Sequence, residues 1–315
     1  MSALKVGTRG SALAMAQCSA LAARFAGDVE LVPITTQGDT DRSSLQQIGG
    51  TGVFVSALRD ALLEGRVDVA VHSLKDLPTA DAPGIELAAV AKREDARDAL
   101  CARDGLTFAD LPEGAKVGTG SPRRAAQLRL ARPDLEVVDI RGNVPTRLSR
   151  ALGDAETGEG ADLDAVVLAL AGLKRLGLDG KATDILDLID FPTAPGQGAL
   201  AVEIRAGDAV ARKAVAKTDH ASTRAAAAAE RHVLAGLEAG CAAPLGAHAE
   251  VADGMLFLTA SAYATDGSQR LTASHAYTLD GTAPIELAEA ARDVAERAVA
   301  ELMQAGAADL IHEAR

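Results

Sequence analysis

The sequence has no tryptophan, and only five phenylalanines and two tyrosines among 315 residues. Hydrophobic residues still make up 48% of the chain, so alanine, valine and leucine must fill a sizeable core. Cysteine is scarce, and Cys18, Cys101 and Cys241 form no CxxC pair. An odd, unpatterned set argues against a disulfide framework and against zinc, so no metal is expected. Long apolar runs are also missing. None approaches the roughly 18 residues of a membrane span, and Met1 to Gly7 has no signal-like apolar stretch. These absences point to a cytoplasmic protein with no membrane partner. Positive charge is in deficit, with 32 Lys and Arg against 44 Asp and Glu, a net −12. That excludes a general nucleic-acid binder, which needs a basic surface to release counterions. A local basic pocket remains open.

What is present is alternation. Leu4–Thr8 is a short apolar run followed by the alanine-rich helical stretch Ala12–Ala26; Val29–Thr36 reads as a strand, Val53–Glu64 as a helix, and Val67–His72 and Ile85–Ala91 as strands. After a loop at Pro112–Gly114 the pattern restarts: strand Lys116–Gly118, helix Ser121–Ala131, strand Leu135–Ile140, helix Asn143–Ala151, strand Ala165–Leu170. Such alternation predicts mainly parallel sheets covered by helices. Leu152–Asp164, rich in Gly and acid, reads as a surface loop. The last third changes character, with helix Thr223–Leu237, alternating strands at Ala247–Val251, Met255–Ala264 and Arg270–Leu279, and a closing amphipathic helix Glu286–Met303. The expected architecture is α/β: two similar α/β domains followed by a small α+β domain.

The chemistry gathers at three arginine-bearing junctions: Gly7-Thr8-Arg9-Gly10-Ser11, Gly118-Thr119-Gly120-Ser121-Pro122-Arg123-Arg124, and Arg141-Gly142-Asn143 with Arg147 one turn on. Ser11, Ser121 and Asn143 suit helix N-caps, and Pro122 suits the first helical position. Helix N-termini favour anions, and arginine forks match carboxylate or phosphate. In open α/β sheets such turns lie where ligands bind. Residues 116–150 hold eight Lys or Arg against three Asp or Glu, a local balance of +5. No turn matches GxxxxGK[ST] or a clean GxGxxG, which makes nucleotide the weaker ligand. Each arginine by itself could equally be a solvated helix residue.

Two further segments stand out. In Val71-His72-Ser73-Leu74-Lys75-Asp76-Leu77-Pro78 a buried strand delivers Ser73, Lys75 and Asp76 to its end. Taken alone, Lys75 and Asp76 read more simply as exposed loop charges. Cys241 lies in the Gly- and Pro-bounded segment Glu238–Gly246. It could be a nucleophile if its thiolate is stabilised, or a small buried hydrophobe. No histidine stands at a helpful spacing to serve as its base.

Together these pieces resemble the porphobilinogen deaminase family over nearly the whole chain. The resemblance rests on eight segments in order: Thr8–Ala14, Gly49-Gly50-Thr51-Gly52-Val53-Phe54, His72–Asp76, Gly118–Arg124, Arg141–Asn143, Ala171-Gly172-Leu173-Lys174-Arg175-Leu176-Gly177, Pro195-Gly196-Gln197-Gly198-Ala199, and Glu238–Gly246. It implies three domains: 1–91 with 199–216, 92–198, and 217–315. The first two would resemble the halves of type II periplasmic binding proteins, with the active site in the cleft between them.

The family's activity joins four porphobilinogen molecules head to tail, releasing ammonia, to give hydroxymethylbilane. The resemblance implies a dipyrromethane cofactor in thioether linkage to Cys241, and Asp76 as the catalytic carboxylate. It assigns Ser73, Lys75, Asp76, Thr119, Ser121, Arg123 and Arg124 to the cofactor. Arg9, Ser11, Gln17, Arg141, Arg147 and Arg175 would hold the substrate, with Phe54 stacking from a lid at about 39–52. A monomer is expected. Lysines frequent in that lid are absent, Gln47 and Thr51 standing in their places, and Ala239 and Ala242 replace a frequent glycine and glutamine beside the cysteine. A non-catalytic binding protein would explain the cleft and its arginines, but it would need neither Asp76 nor Cys241.

Overall fold

The structure, a computed structural model, describes residues 3–35, 55–153, 160–239 and 243–312. Cys241, Phe54 and the expected lid lie outside the described residues. Within them, the chain opens with β1 (Leu4–Arg9), α1 (Ala12–Ala22), β2 (Val29–Ile34), α2 (Ser56–Leu63), β3 (Val69–Ser73) and β4 (Ile85–Val90). Helix α1 stops short of Ala26 because Arg24 N and Phe25 N turn back to the carbonyls of Leu21 and Ala22. A second run follows: β5 (Asp98–Ala102), β6 (Lys116–Gly118), α3 (Pro122–Ala131), β7 (Glu136–Val138), α4 (Val144–Leu152), β8 (Ala165–Ala169), α5 (Leu170–Arg175) and β9 (Asp184–Ile185). The chain then returns through β10 (Leu200–Arg205) and α6 (Ala209–Val215).

Two five-stranded sheets result, ordered β2-β1-β3-β10-β4 and β7-β6-β8-β5-β9. Apart from the crossing strand, each places its first three strands in the order second, first, third, and each admits beside them one strand that arrives by crossing from the other lobe. Parallel pairing joins β1 to β2 and β3, and β6 to β7 and β8. The crossing strands run the other way: β10 is antiparallel to β3 and β4, and β5 to β8 and β9. The sheets are therefore mixed: four strands of each run one way, in keeping with the mainly parallel sheets implied by the alternation, and the crossing strand runs the other. The reason is topological, because each crossing strand reaches its sheet from the opposite end.

Buried β-branched and aliphatic residues fill both lobes, as in Val6, Val69, Val71, Val202 and Ile204 of the first and Val117, Val167, Leu100 and Leu128 of the second. The few aromatics are placed economically. Phe108 and Phe191 meet edge to face at 5.4 Å in the second lobe.

The last part comprises α7 (Ala221–Gly236), the antiparallel meander β11 (Leu245–Ala252), β12 (Met255–Tyr263) and β13 (Arg270–Thr278), then α8 (Pro284–Gln304) and α9 (Ala307–His312). Its core is alanine-rich. Ala225, Ala229 and Val233 of α7 meet Leu287, Ala290, Ala291, Val294 and Ala298 of α8 at the i, i+3, i+4 spacing of one helical face. Glu230, fully buried, ties α7 to the crossing segment: it pairs with Arg93 and accepts from Gly196 N and Ala249 N at 2.7 Å each. No described helix is long and apolar enough to cross a membrane.

Candidate active site

The strand ends of both lobes open onto a cleft of about 880 Å³. Helix α1 enters it behind the N-cap Ser11, whose Oγ accepts from Ala14 N at 3.3 Å. Helix α4 enters from the other lobe behind Asn143, whose Oδ1 accepts from Thr146 N at 2.9 Å. Both caps leave backbone N–H groups and the positive helix ends facing the cleft, as the turn residues predict. Backbone crowding explains one glycine here. A Cβ on Gly120 would lie 2.5 Å from the Ile140 carbonyl oxygen, so only glycine lets the two arginine turns approach.

The first lobe contributes its β3 end. Ser73 Oγ donates to the buried Gln17 Oε1 at 3.1 Å, and a short 3-10 turn, Leu74–Asp76, brings Lys75 and Asp76 to the cleft wall. Lys75 Nζ donates to Gln197 Oε1 at 3.3 Å. Burial pushes its ammonium down to about 8, and the Arg124 cation adds to that effect against Asp76 and Asp98. Arg9 lies at the end of β1 and lines the same space.

The second lobe supplies further cations. Arg141, Arg147 and Arg175 line the cleft. Arg147 Nε donates to Gly142 O at 2.9 Å, and Arg175 Nη2 to Gly198 O at 2.6 Å. Burial, reinforced by Arg124 and Arg141 and opposed by Asp139, pushes the Arg147 guanidinium down to about 10. Cations that depress one another in this way are stabilised by an anion placed between them. The buried Nε atoms of Arg124 and Arg141 have no hydrogen-bond partner among the described residues. Such unmet donors suit a ligand rich in acceptors.

Not every predicted residue faces the cleft. Thr119, Ser121 and Arg123 are not among its lining residues. Thr119 Oγ1 accepts from Ser121 N at 3.2 Å, and Ser121 caps α3 through Arg124 N at 3.4 Å, so these hydroxyls hold the turn itself. Arg123 points inward: Nη2 donates to Asp98 Oδ2 at 2.8 Å, and Nη1 to Gln127 Oε1 and Pro192 O at 2.7 and 3.0 Å. Arg124 lies between the two situations. It donates to Asp98 Oδ1 at 2.7 Å and to Val167 O at 3.1 Å, yet still lines the cleft. Burial would raise the Asp98 carboxyl, but Arg123 and Arg124 outweigh it and hold the group well below the usual carboxylate range.

Two residues central to this geometry escape the sequence reading. Asp98 begins β5, a strand absent from the expected order, and it anchors both arginines. Gln197 Nε2 donates to Asp98 Oδ1 and Ala96 O at 2.7 Å each, while its Oε1 receives Lys75. The only signal for Gln197 is a polar side chain between two glycines after Pro195. Gly198 next to it has φ +88, and a Cβ there would lie 2.5 Å from Glu94 O, which explains that flank.

This two-lobed α/β fold has a cationic interlobe cleft with one carboxyl group on its β3 turn, a charge distribution suited to an anionic ligand. Comparison with known proteins then narrows the class. A family model described as porphobilinogen deaminase, dipyromethane cofactor binding domain, matches residues 4–213, and one described as the C-terminal domain matches 225–292. A porphobilinogen deaminase of Leifsonia xyli subsp. xyli is 63% identical over 316 residues, covering 98% of this chain and 94% of that protein. Those of Thermobifida fusca and Cutibacterium acnes are 53% and 51% identical, each over 98% of this chain and over 96% and 97% of their own lengths. Among solved structures, a YaeC-family lipoprotein from Enterococcus faecalis V583 is 15% identical with a TM-score of 0.39, covering 69% of this chain and 91% of that one. The chain belongs to the porphobilinogen deaminase family.

Proposed function

We propose that the protein is a hydroxymethylbilane synthase, a transferase of tetrapyrrole biosynthesis that condenses four porphobilinogen molecules head to tail with loss of ammonia. The observation that carries the reading is the single carboxyl group of Asp76 set in a cleft otherwise walled by Lys75, Arg124, Arg141, Arg147 and Arg175. Porphobilinogen brings an acetate and a propionate on each pyrrole, so the growing chain accumulates anions. Burying them unpaired would cost several kcal/mol each, which a row of guanidinium donors offsets.

The residues present fit a dipyrromethane. Lys75, Arg124 and Ser73 would hold it from the β3 and α3 sides, with the unmet Nε of Arg124 as one donor. Arg123, Thr119 and Ser121 would act one layer behind, by fixing the α3 turn. When bound through Cys241, the cofactor supplies the nucleophilic pyrrole carbon on which the chain grows. Arg9, Ser11, Gln17, Arg141, Arg147 and Arg175 would orient the incoming substrate, and Phe54 would stack on its ring.

Loss of ammonia from an aminomethylpyrrole needs a proton on nitrogen and then a counter-charge for the cationic methylene-pyrrole left behind. Asp76 can serve both needs in turn. Its carboxyl group donates the proton, and the resulting carboxylate faces the positive carbon until the new C–C bond forms and the displaced ring proton returns to it. The reading places the enzyme in the cytoplasm as a monomer, with three domains at 1–91 with 199–216, 92–198 and 217–315, and with no nucleic-acid, membrane or metal partner.

Intact-mass measurement tests it. The purified protein should carry one dipyrromethane adduct, absent from Cys241→Ser. Asp76→Asn should keep the adduct and lose at least about a hundredfold in kcat, within the range typical of acid–base groups. An unmodified wild type, or near-normal turnover in Asp76→Asn, would sink the reading.

A further inference from the structure

Helix α7 precedes the segment that contains Cys241, and one of its residues reaches the turn that carries Asp76. Arg231 Nη1 donates to the Leu77 carbonyl at 2.7 Å and lies 3.5 Å from that of Leu74, while Nη2 donates to the Pro78 carbonyl at 2.6 Å. One planar guanidinium thus spans the turn from its first residue to the proline after it. We propose that Arg231 is a positioning residue that fixes the direction of the Asp76 carboxyl group in the cleft.

The turn needs outside support. A 3-10 turn of three residues has poor internal hydrogen-bond geometry, and here it closes on itself through Leu77 N to Leu74 O at 3.1 Å. Its entrance is held by Leu74 N donating to Ala199 O at 3.0 Å. At its exit Pro78 has no N–H to give, so the carbonyls of Leu77 and Pro78 are the groups left to hold, and Arg231 holds both. A fork with several donors on a planar frame suits this task better than a single ammonium.

The preceding residue holds the neighbouring segment, which leads into β10. Glu230 accepts from Gly196 N at 2.7 Å, next to Gln197, and Gln197 receives Lys75. Adjacent helical residues point about 100° apart, so Glu230 and Arg231 grasp two separate segments. Those segments carry the two ends of the Lys75–Gln197 hydrogen bond. Helix α7 therefore holds two adjoining segments of the cleft floor from one place, and Arg231 governs the one with the acid–base group.

This inference rests on the proposed role of Asp76, and its test separates the two. Arg231→Met and Arg231→Lys are compared with wild type for adduct mass, steady-state kinetics with porphobilinogen, and amide hydrogen exchange. In Arg231→Met the adduct should be retained and kcat should fall about ten- to a hundredfold, the scale of a small misplacement of a reacting group. KM should stay within about twofold, because no substrate contact is removed. The Leu77 amide should exchange faster while β12 amides keep wild-type protection. Arg231→Lys should recover part of kcat.

A kcat within about twofold of wild type in Arg231→Met overturns the proposal. So does unchanged exchange at Leu77, or a kcat loss accompanied by equal loss of protection in β12, which would mark general unfolding. Were wild type itself to lack adduct and turnover, the proposed function would fall, while Leu77 exchange would still report on the anchoring.

Discussion

The second lobe offers two arginine turns that look alike in sequence and behave differently in the fold. Each follows a strand, contains glycine and ends in an N-cap, Ser121 in one and Asn143 in the other. In the first, Arg123 and Arg124 are buried on Asp98. In the second, Arg141 and Arg147 face the cleft, and Arg147 spends one N–H on the nearby Gly142 carbonyl. The deciding factor is a carboxylate on another strand. Where Asp98 lies within reach the guanidinium is anchored in the scaffold, Arg124 keeping its Nε toward a ligand, and elsewhere the whole group remains available.

The most direct way to break this contrast is Asp98→Asn. It leaves two buried guanidinium groups without a counter-charge, and should cost about 3–5 kcal/mol of stability in denaturant unfolding. A midpoint equal to wild type would show that the inner arginines are no more structural than the outer ones. The reverse experiment is Arg141→Ala or Arg147→Ala. Loss of one charge-assisted contact to carboxylate should lower kcat/KM about ten- to a hundredfold, with unfolding free energy changed by less than about 1 kcal/mol. Stability losses as large as that of Asp98→Asn would erase the distinction.

A smaller effect sharpens the boundary between the two groups. Lys75 faces the cleft yet sits beside Arg124, and its ammonium titrates near 8 in the folded protein instead of 10.5. Its charge is therefore present at neutral pH and lost as pH rises through about 8. Ligand carboxylates raise that value, so binding should take up protons in mildly alkaline solution. The expected kcat/KM falls a few-fold above about pH 8, and Lys75→Arg, always charged, should push the decline to higher pH. An identical profile in Lys75→Arg would remove Lys75 from that limb.

Local chemistry was legible before the fold was known. The caps at Ser11, Ser121 and Asn143, the β3 end at Ser73, and the strand at Lys116–Gly118 all follow from short patterns that the structure keeps. What the patterns could not carry is pairing at long range. Strand β5 opens with an aspartate after a charged stretch, so Asp98 reads as loop, and its burial depends on arginines 25 and 26 residues away. The direction of β5 and β10 depends on where the chain crosses between lobes, which no local period records. Gln197 meets charged partners that are distant in sequence, and Arg231 acts through backbone carbonyls, groups every segment has, so no local pattern reveals what either holds.

The returning strand has one more consequence, for how the protein is made. All the strands of the second sheet lie between Asp98 and Ile185, whereas the first sheet lacks β10 until Leu200–Arg205. Without β10, β4 has no partner in that sheet, since β10 stands between it and β3. A chain leaving the ribosome from its N-terminus therefore completes the later-encoded lobe first, and the half that was synthesised earliest waits, with an open edge, for a segment from far downstream.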